Sequence, residues 1–150
     1  GKSELRYGIL GGPGDQPVDP NAAFPDRSPR LAINGSDGTA GAVWTRVQLT
    51  QQELEGAKLD DVLAAQEICC ARFDGTNWSL PVRLTDNAQV DGSPVLAYGP
   101  DGRGLAMWVT GAAAHGAGNE IAYSAWNGST WAAPAQLTAN TVGDKAVDLV

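Results

Sequence analysis

The chain has 150 residues, 43% of them apolar, with 19 glycines, 9 prolines and a formal charge of −7. Such a composition supports one core in a turn-rich β protein and excludes a disordered chain. The acidic balance argues against a nucleic-acid backbone as partner, since phosphate binding needs clustered Lys and Arg, and no apolar run is long enough to span a bilayer.

In chain order, the sequence begins Gly1-Lys2 with no initiator Met. It reads as a processed or excised piece from which an upstream signal could have been lost. Ser3 to Leu10 is a predicted strand. Gly11 to Arg27 holds Pro13, Pro17, Pro20 and Pro25 and reads mostly as loop, with an irregular strand near Val18. Strands follow at Arg30 to Ile33 and Thr39 to Arg46. Thr50-Gln51-Gln52-Glu53 has the form of a capping box and opens a helical insertion near residues 51–65, with Leu54, Leu59, Val62 and Leu63 on one face and Gly56 as its weak point. Further strands are expected near Glu67–Phe73, Trp78–Leu84, Pro94–Tyr98 and Gly104–Val109. Gly111 to Gly118 reads as a flexible loop, a hairpin turns at Asn127-Gly128, and Asp144 to Val150 approaches a new first strand.

These elements repeat. Gln66 to Thr85 and Asn119 to Thr138 superimpose at a spacing of 53 residues, both for the Glu pair (120 − 67) and for the Trp pair (131 − 78). A worn third copy starts at Ser3, with Glu4, Leu5 and Tyr7 in the corresponding order. Between the copies, Ser28-Pro29-Arg30-Leu31-Ala32 recurs as Ser93-Pro94-Val95-Leu96-Ala97. Each is followed by a Gly-rich turn and then by Ala42-Val43-Trp44 or Ala106-Met107-Trp108. Two hairpins per period make a unit of four antiparallel strands, the make-up of one β-propeller blade. The expected organisation is a half-blade over residues 1–27, a blade over 28–85 with an insertion at 49–66, a blade over 93–138, and the start of a further blade at 144–150. About two blades in a shifted frame would leave apolar faces at both ends, so further blades in cis, or other copies of the chain, are expected to cover them.

The hairpin Ser124-Ala125-Trp126-Asn127-Gly128-Ser129-Thr130-Trp131 resembles the Asp-box of sialidase-like propellers, S-x-D-x-G-x-T-W. It matches at Ser124, Gly128, Thr130 and Trp131 and departs at Trp126, where the box has Asp, with Asn127 one place on; Ala71 to Trp78 keeps only Gly75 and Trp78. Pro81-Val82-Arg83-Leu84-Thr85 and Ala106-Met107-Trp108 are also similar to that superfamily, and fucose-binding propeller lectins share the hairpin style. The resemblance implies a fold and leaves activity to the individual site.

A sialidase-type hydrolase needs an arginine triad for a carboxylate, a Tyr–Glu nucleophile pair and an acid Asp. Arg30, Arg83 and Arg103 are present without a spacing that converges them, so no catalytic residue is assigned. Glu67 and Glu120 recur at one place in successive units, which favours a strand-edge or turn role over a facing carboxylate pair. Trp44, Trp78, Trp108 and Trp131 recur and are expected to pack between blades. Trp126, beside a turn, is the aromatic best placed to take the apolar face of a sugar. The candidate ligand-binding residues are therefore Trp126, Glu120, Glu67 and Arg30. Cys69 and Cys70, adjacent on a strand, face opposite sides and read as small buried thiols. His115 reads as a solvent-exposed loop residue and Asp60-Asp61 as a solvated helix face. No metal site and no cofactor are expected, although turns such as Ser36-Asp37-Gly38 and Asp101-Gly102 could hold Ca²⁺ incidentally.

The sequence thus points to a non-catalytic propeller module for binding or scaffolding, extracellular or at the cell surface, with a glycan or protein partner. The alternative is a fragment of a sialidase-like glycoside hydrolase whose catalytic residues lie outside the chain.

Overall fold

A computed structural model describes residues 3–8, 12, 14–20, 22–111, 118–145 and 147–149. Short strands β1 (Arg6–Tyr7) and β2 (Gln16–Pro17) pair with each other. Then come β3 (Asp26–Ile33), β4 (Ala40–Val47), α1 (Gln51–Gly56), α2 (Leu59–Ala64), β5 (Gln66–Phe73) and β6 (Val82–Arg83). The chain continues through β7 (Val90–Tyr98), β8 (Gly104–Gly111), β9 (Glu120–Trp126) and β10 (Ala135–Gln136). Two four-stranded antiparallel meanders result, β3-β4-β5-β6 and β7-β8-β9-β10. This is an all-β fold of propeller-blade units, hereafter the first and second blades. His115, Leu10, Ala146 and Val150, and most of the loop read at Gly111 to Gly118, lie outside the described residues.

The Ser-Pro repeat has a backbone cause. Ser28 and Ser93 both adopt positive φ, 50° and 53°, and the ladder register breaks there in both blades, between Arg27 and Arg30 and between Gly92 and Val95. A bulge at that point removes the need for a ladder N–H, which the following proline cannot supply. The same irregularity therefore opens the first strand of each blade.

Alternation along the strands divides two cores. Val43, Ile68 and Cys70 meet Leu96, Ala106, Trp108 and Ala122 between the blades. Ala42, Trp44, Cys69 and Ala71 turn to the other side and pack with Val18, Leu5, Tyr7 and Trp78. Strand β7 lies across β3, β4 and β5, and Tyr98 and Leu96 fill the space where a Cβ on Gly41 would stand. Any side chain at position 41 would therefore force the second blade away from the first. The two thiols are buried in different cores, and burial pushes both up to about 12, which keeps them protonated and inert.

The outer elements are shorter than the sequence suggests. Of Trp78 to Leu84, only Val82–Arg83 forms a ladder, with an isolated bridge from Trp78 to Phe73. Pro81 interrupts the donors between them. Of Ser3 to Leu10, only Arg6–Tyr7 pairs. The helical insertion is present as two short helices. Thr50 and Glu53 form the predicted capping box on α1, the chain leaves helix after Gly56, and the Asp61 carboxylate accepts the Lys58 N–H at the start of α2. Neither helix buries a residue, so local capping rather than packing holds them. Asp60 and Asp61 are exposed.

Candidate functional site

The site is built by two equivalent turns. In the first blade, Asp74 Oδ1 accepts the N–H groups of Thr76 and Asn77, both at 2.8 Å. In the second, Asn127 Oδ1 accepts those of Ser129 and Thr130, both at 2.9 Å. Gly75 and Gly128 follow at φ 101° and 104°, a region that disfavours any side chain. The box position that calls for Asp is Trp126 in this chain. The turn-holding role instead belongs to Asn127, one place on, because only a short side-chain oxygen can reach amides two and three residues ahead. Held this way, each turn folds an aromatic back across its hairpin. Trp78 meets Phe73 and Trp131 meets Trp126, each pair at 5.5 Å between ring centroids.

The two hairpins flank a cleft of about 570 Å³ between the blades, lined by Trp78, Trp126 and Trp131 together with Asn77, Ser79, Ser129, Thr130, Arg72 and Asp74. Its walls combine three half-buried indoles with hydroxyl and amide groups. Its volume falls in the range of small-molecule sites, and its composition suits a ligand with both apolar faces and hydroxyls. Arg72 Nη2 donates to Asp37 Oδ2 at 3.0 Å and to Thr39 Oγ1 at 3.1 Å. The hydrogen bonds from Asn77 and Thr76, aided by the Arg72 charge, hold the Asp74 carboxyl below its ordinary value. Asp74 is therefore ionised at neutral pH.

Of the four residues singled out from sequence, only Trp126 lines this cleft. Glu67 and Glu120 are buried at the first position or two of β5 and β9, where each Oε1 accepts a backbone N–H twenty residues on, from Asn87 and Asn140, both at 2.9 Å. Beside them, Thr85 and Thr138 accept the N–H groups of Ile68 and Ile121, both at 2.8 Å, and Thr138 donates to Asp144. These bonds tie the end of each blade to the segment that follows it. Burial pushes the Glu67 carboxyl up, with the nearby Asp91 charge acting in the same direction. Arg30 is exposed on β3, with Nη1 directed at its own Pro29 carbonyl. Arg83 pairs with Asp86 and Arg103 with Asp101, so the three arginines stand on three separate elements with two of them engaged locally. Among the described residues, no group of three or more His, Cys, Asp or Glu side chains is placed to hold a metal ion.

Two features escaped the sequence reading. Trp78 and Trp131 pack against the cores as expected, yet their free edges also form cleft walls. An acid recurs two residues before each Ser-Pro, as Asp26 and Asp91, and both are buried beside a Trp of the next strand. The repeated Asp-x-Ser-Pro spacing was the available signal for these acids.

No protein-family model matches the chain, and no curated protein matches it. Among solved structures it is similar to one described as "Hadza microbial sialidase Hz136", with a TM-score of 0.56 and 13% identity over 79% of this chain. The match covers 27% of that protein, so the chain spans well under half of it. At that identity the likeness shows a sialidase-like fold.

Proposed function

We propose that the chain is a non-catalytic section of a β-propeller that binds a glycan between its two blades. The observation that supports this is the cleft of three tryptophans held open by paired polar turns. Both of its walls belong to the described blades. The outward face of β3 exposes Leu31 at 63% and Ile33 at 70%, where the corresponding Leu96 and Tyr98 of the second blade are packed against Gly41. That contrast supports the reading that further blades, in cis or in other copies of the chain, cover the first blade's open side, in a protein we place outside the cell or at its surface. Among the described residues, no helix is long and apolar enough to cross a membrane. A glycan array run with the chain and with Trp126→Ala tests the binding reading. Spots lit by the parent and lost in the variant are expected, and a dark array refutes it.

A second reading, a section of a sialidase-like glycoside hydrolase whose catalytic groups lie elsewhere, rests on the structural likeness to a microbial sialidase. Hydrolysis of an aryl sialoside by the parent protein, with no loss in Trp126→Ala, would favour it.

A further inference from the structure

We infer that the tryptophan cleft selects neutral pyranosides over acidic sugars, an inference that rests on the glycan-binding reading above. The indoles of Trp126 and Trp131 are tilted by 51°, so a sugar ring lying on one face meets the edge of the other. Stacking of C–H groups on indole gives affinity without charge. Asn77, Ser129 and Thr130 supply neutral hydrogen-bonding groups at the rim.

The charges on the lining decide the class. Among the described residues, Arg72 is the single cation of the lining, and it already has an acid partner. It is ion-paired with Asp37 at 3.0 Å, and its charge also acts on Asp74 at the cleft wall. With Nη2 engaged by Asp37 and Thr39, the guanidinium cannot present its full fork to a ligand carboxylate. Two carboxylates against one guanidinium leave the neighbourhood negative, and the whole chain carries −7. A uronate or sialate entering the cleft would lose hydration and meet no uncommitted fork to replace it. A neutral sugar meets no such barrier.

Matched sugar pairs test this: methyl galactoside against methyl galacturonate, and methyl glucoside against methyl glucuronate, titrated into the full chain and followed by tryptophan fluorescence. The neutral member of the binding pair is expected to bind at least about tenfold more tightly, with the gap narrowing as salt is raised. Asp74→Asn supplies the second arm. Asn127 already holds the equivalent turn, so the substitution keeps the fold and removes one negative charge, and it should narrow the gap by strengthening the uronate. Equal or tighter binding of the uronate overturns the inference and leaves glycan binding standing. A gap unchanged in Asp74→Asn overturns the electrostatic cause. Absence of any fluorescence change with all four sugars overturns both this inference and the reading it rests on.

Discussion

The two blades share one frame yet treat their buried acid differently. In the first, Asp26 receives the Trp44 indole N–H at 2.9 Å and two bonds from Arg46, at 2.7 and 3.1 Å, while Arg46 also donates to Asp19 at 2.9 Å. Burial opposes the Arg46 charge, but the two carboxylates outweigh it and raise the guanidinium above its ordinary value. In the second blade, Asp91 and Trp108 hold the same places, and Thr110 stands where Arg46 would be. Asp91 is fully buried, with Glu67 nearby; Asn87 Nδ2 donates to its Oδ2 at 3.0 Å, and burial pushes its carboxyl up. The repeat thus keeps an acid and an indole at each blade entrance but not the charge partner. The first entrance is an ion-paired lock, and the second is a buried Asp without a salt-bridge partner among the described residues.

The largest expected effect follows from that difference. Arg46→Met leaves Asp26 buried without its cation and should cost about 3–5 kcal/mol in denaturant unfolding. Thr110→Val, at the matching place, should cost about 1 kcal/mol. Equal losses would erase the distinction between the entrances. Trp44→Phe should come next, at about 1–3 kcal/mol, because it strips a donor from a buried carboxylate. Trp108→Phe should cost less, since the Trp108 indole N–H lacks a partner of good geometry among the described residues. A larger loss from Trp108→Phe would reverse the comparison.

The turns should behave alike, in contrast to the entrances. Gly75→Ala and Gly128→Ala each place a Cβ at φ above 100° and should cost about 1–2 kcal/mol. A clear inequality between them would show that the two turns are not equivalent. The smallest effect is one of pH. The folded-state carboxyl of Asp91 is raised, so its contribution is fully present below the unfolded value near 3.8 and is lost as pH rises through the higher folded value. Asp91→Asn should therefore gain on the parent chain as pH rises from about 4 toward neutrality. Parallel stability curves would contradict a carboxyl raised by burial.

The backbone plan was legible because it rests on local signals that repeat: Asp74-Gly75 and Asn127-Gly128 turns, paired Ser-Pro bulges, and apolar alternation. The site was legible only in part. Trp126 stood out by its place beside a turn, but the cleft needs Trp78 and Ser129, which are 51 residues apart in sequence and meet only because the blades stack. Glu67 and Glu120 drew notice as recurrent acids, and recurrence alone could not reveal that their carboxylates reach backbone amides of the following loop. Arg46 carried no sequence mark at all, since its counterpart in the second blade is a threonine. Its role depends on a burial that no spacing displays.

The tryptophans give the most direct test, because they divide into two sets. Trp44 and Trp108 are buried in the framework, and Trp78, Trp126 and Trp131 line the cleft. The five indole N–H resonances, assigned by single Trp→Phe substitutions, can be followed by NMR while methyl galactoside or methyl glucoside is added to the chain. The three cleft indoles are expected to shift along a saturating curve while those of Trp44 and Trp108 stay in place. Shifts confined to Trp44 and Trp108, or no shift in any of the five, would contradict it.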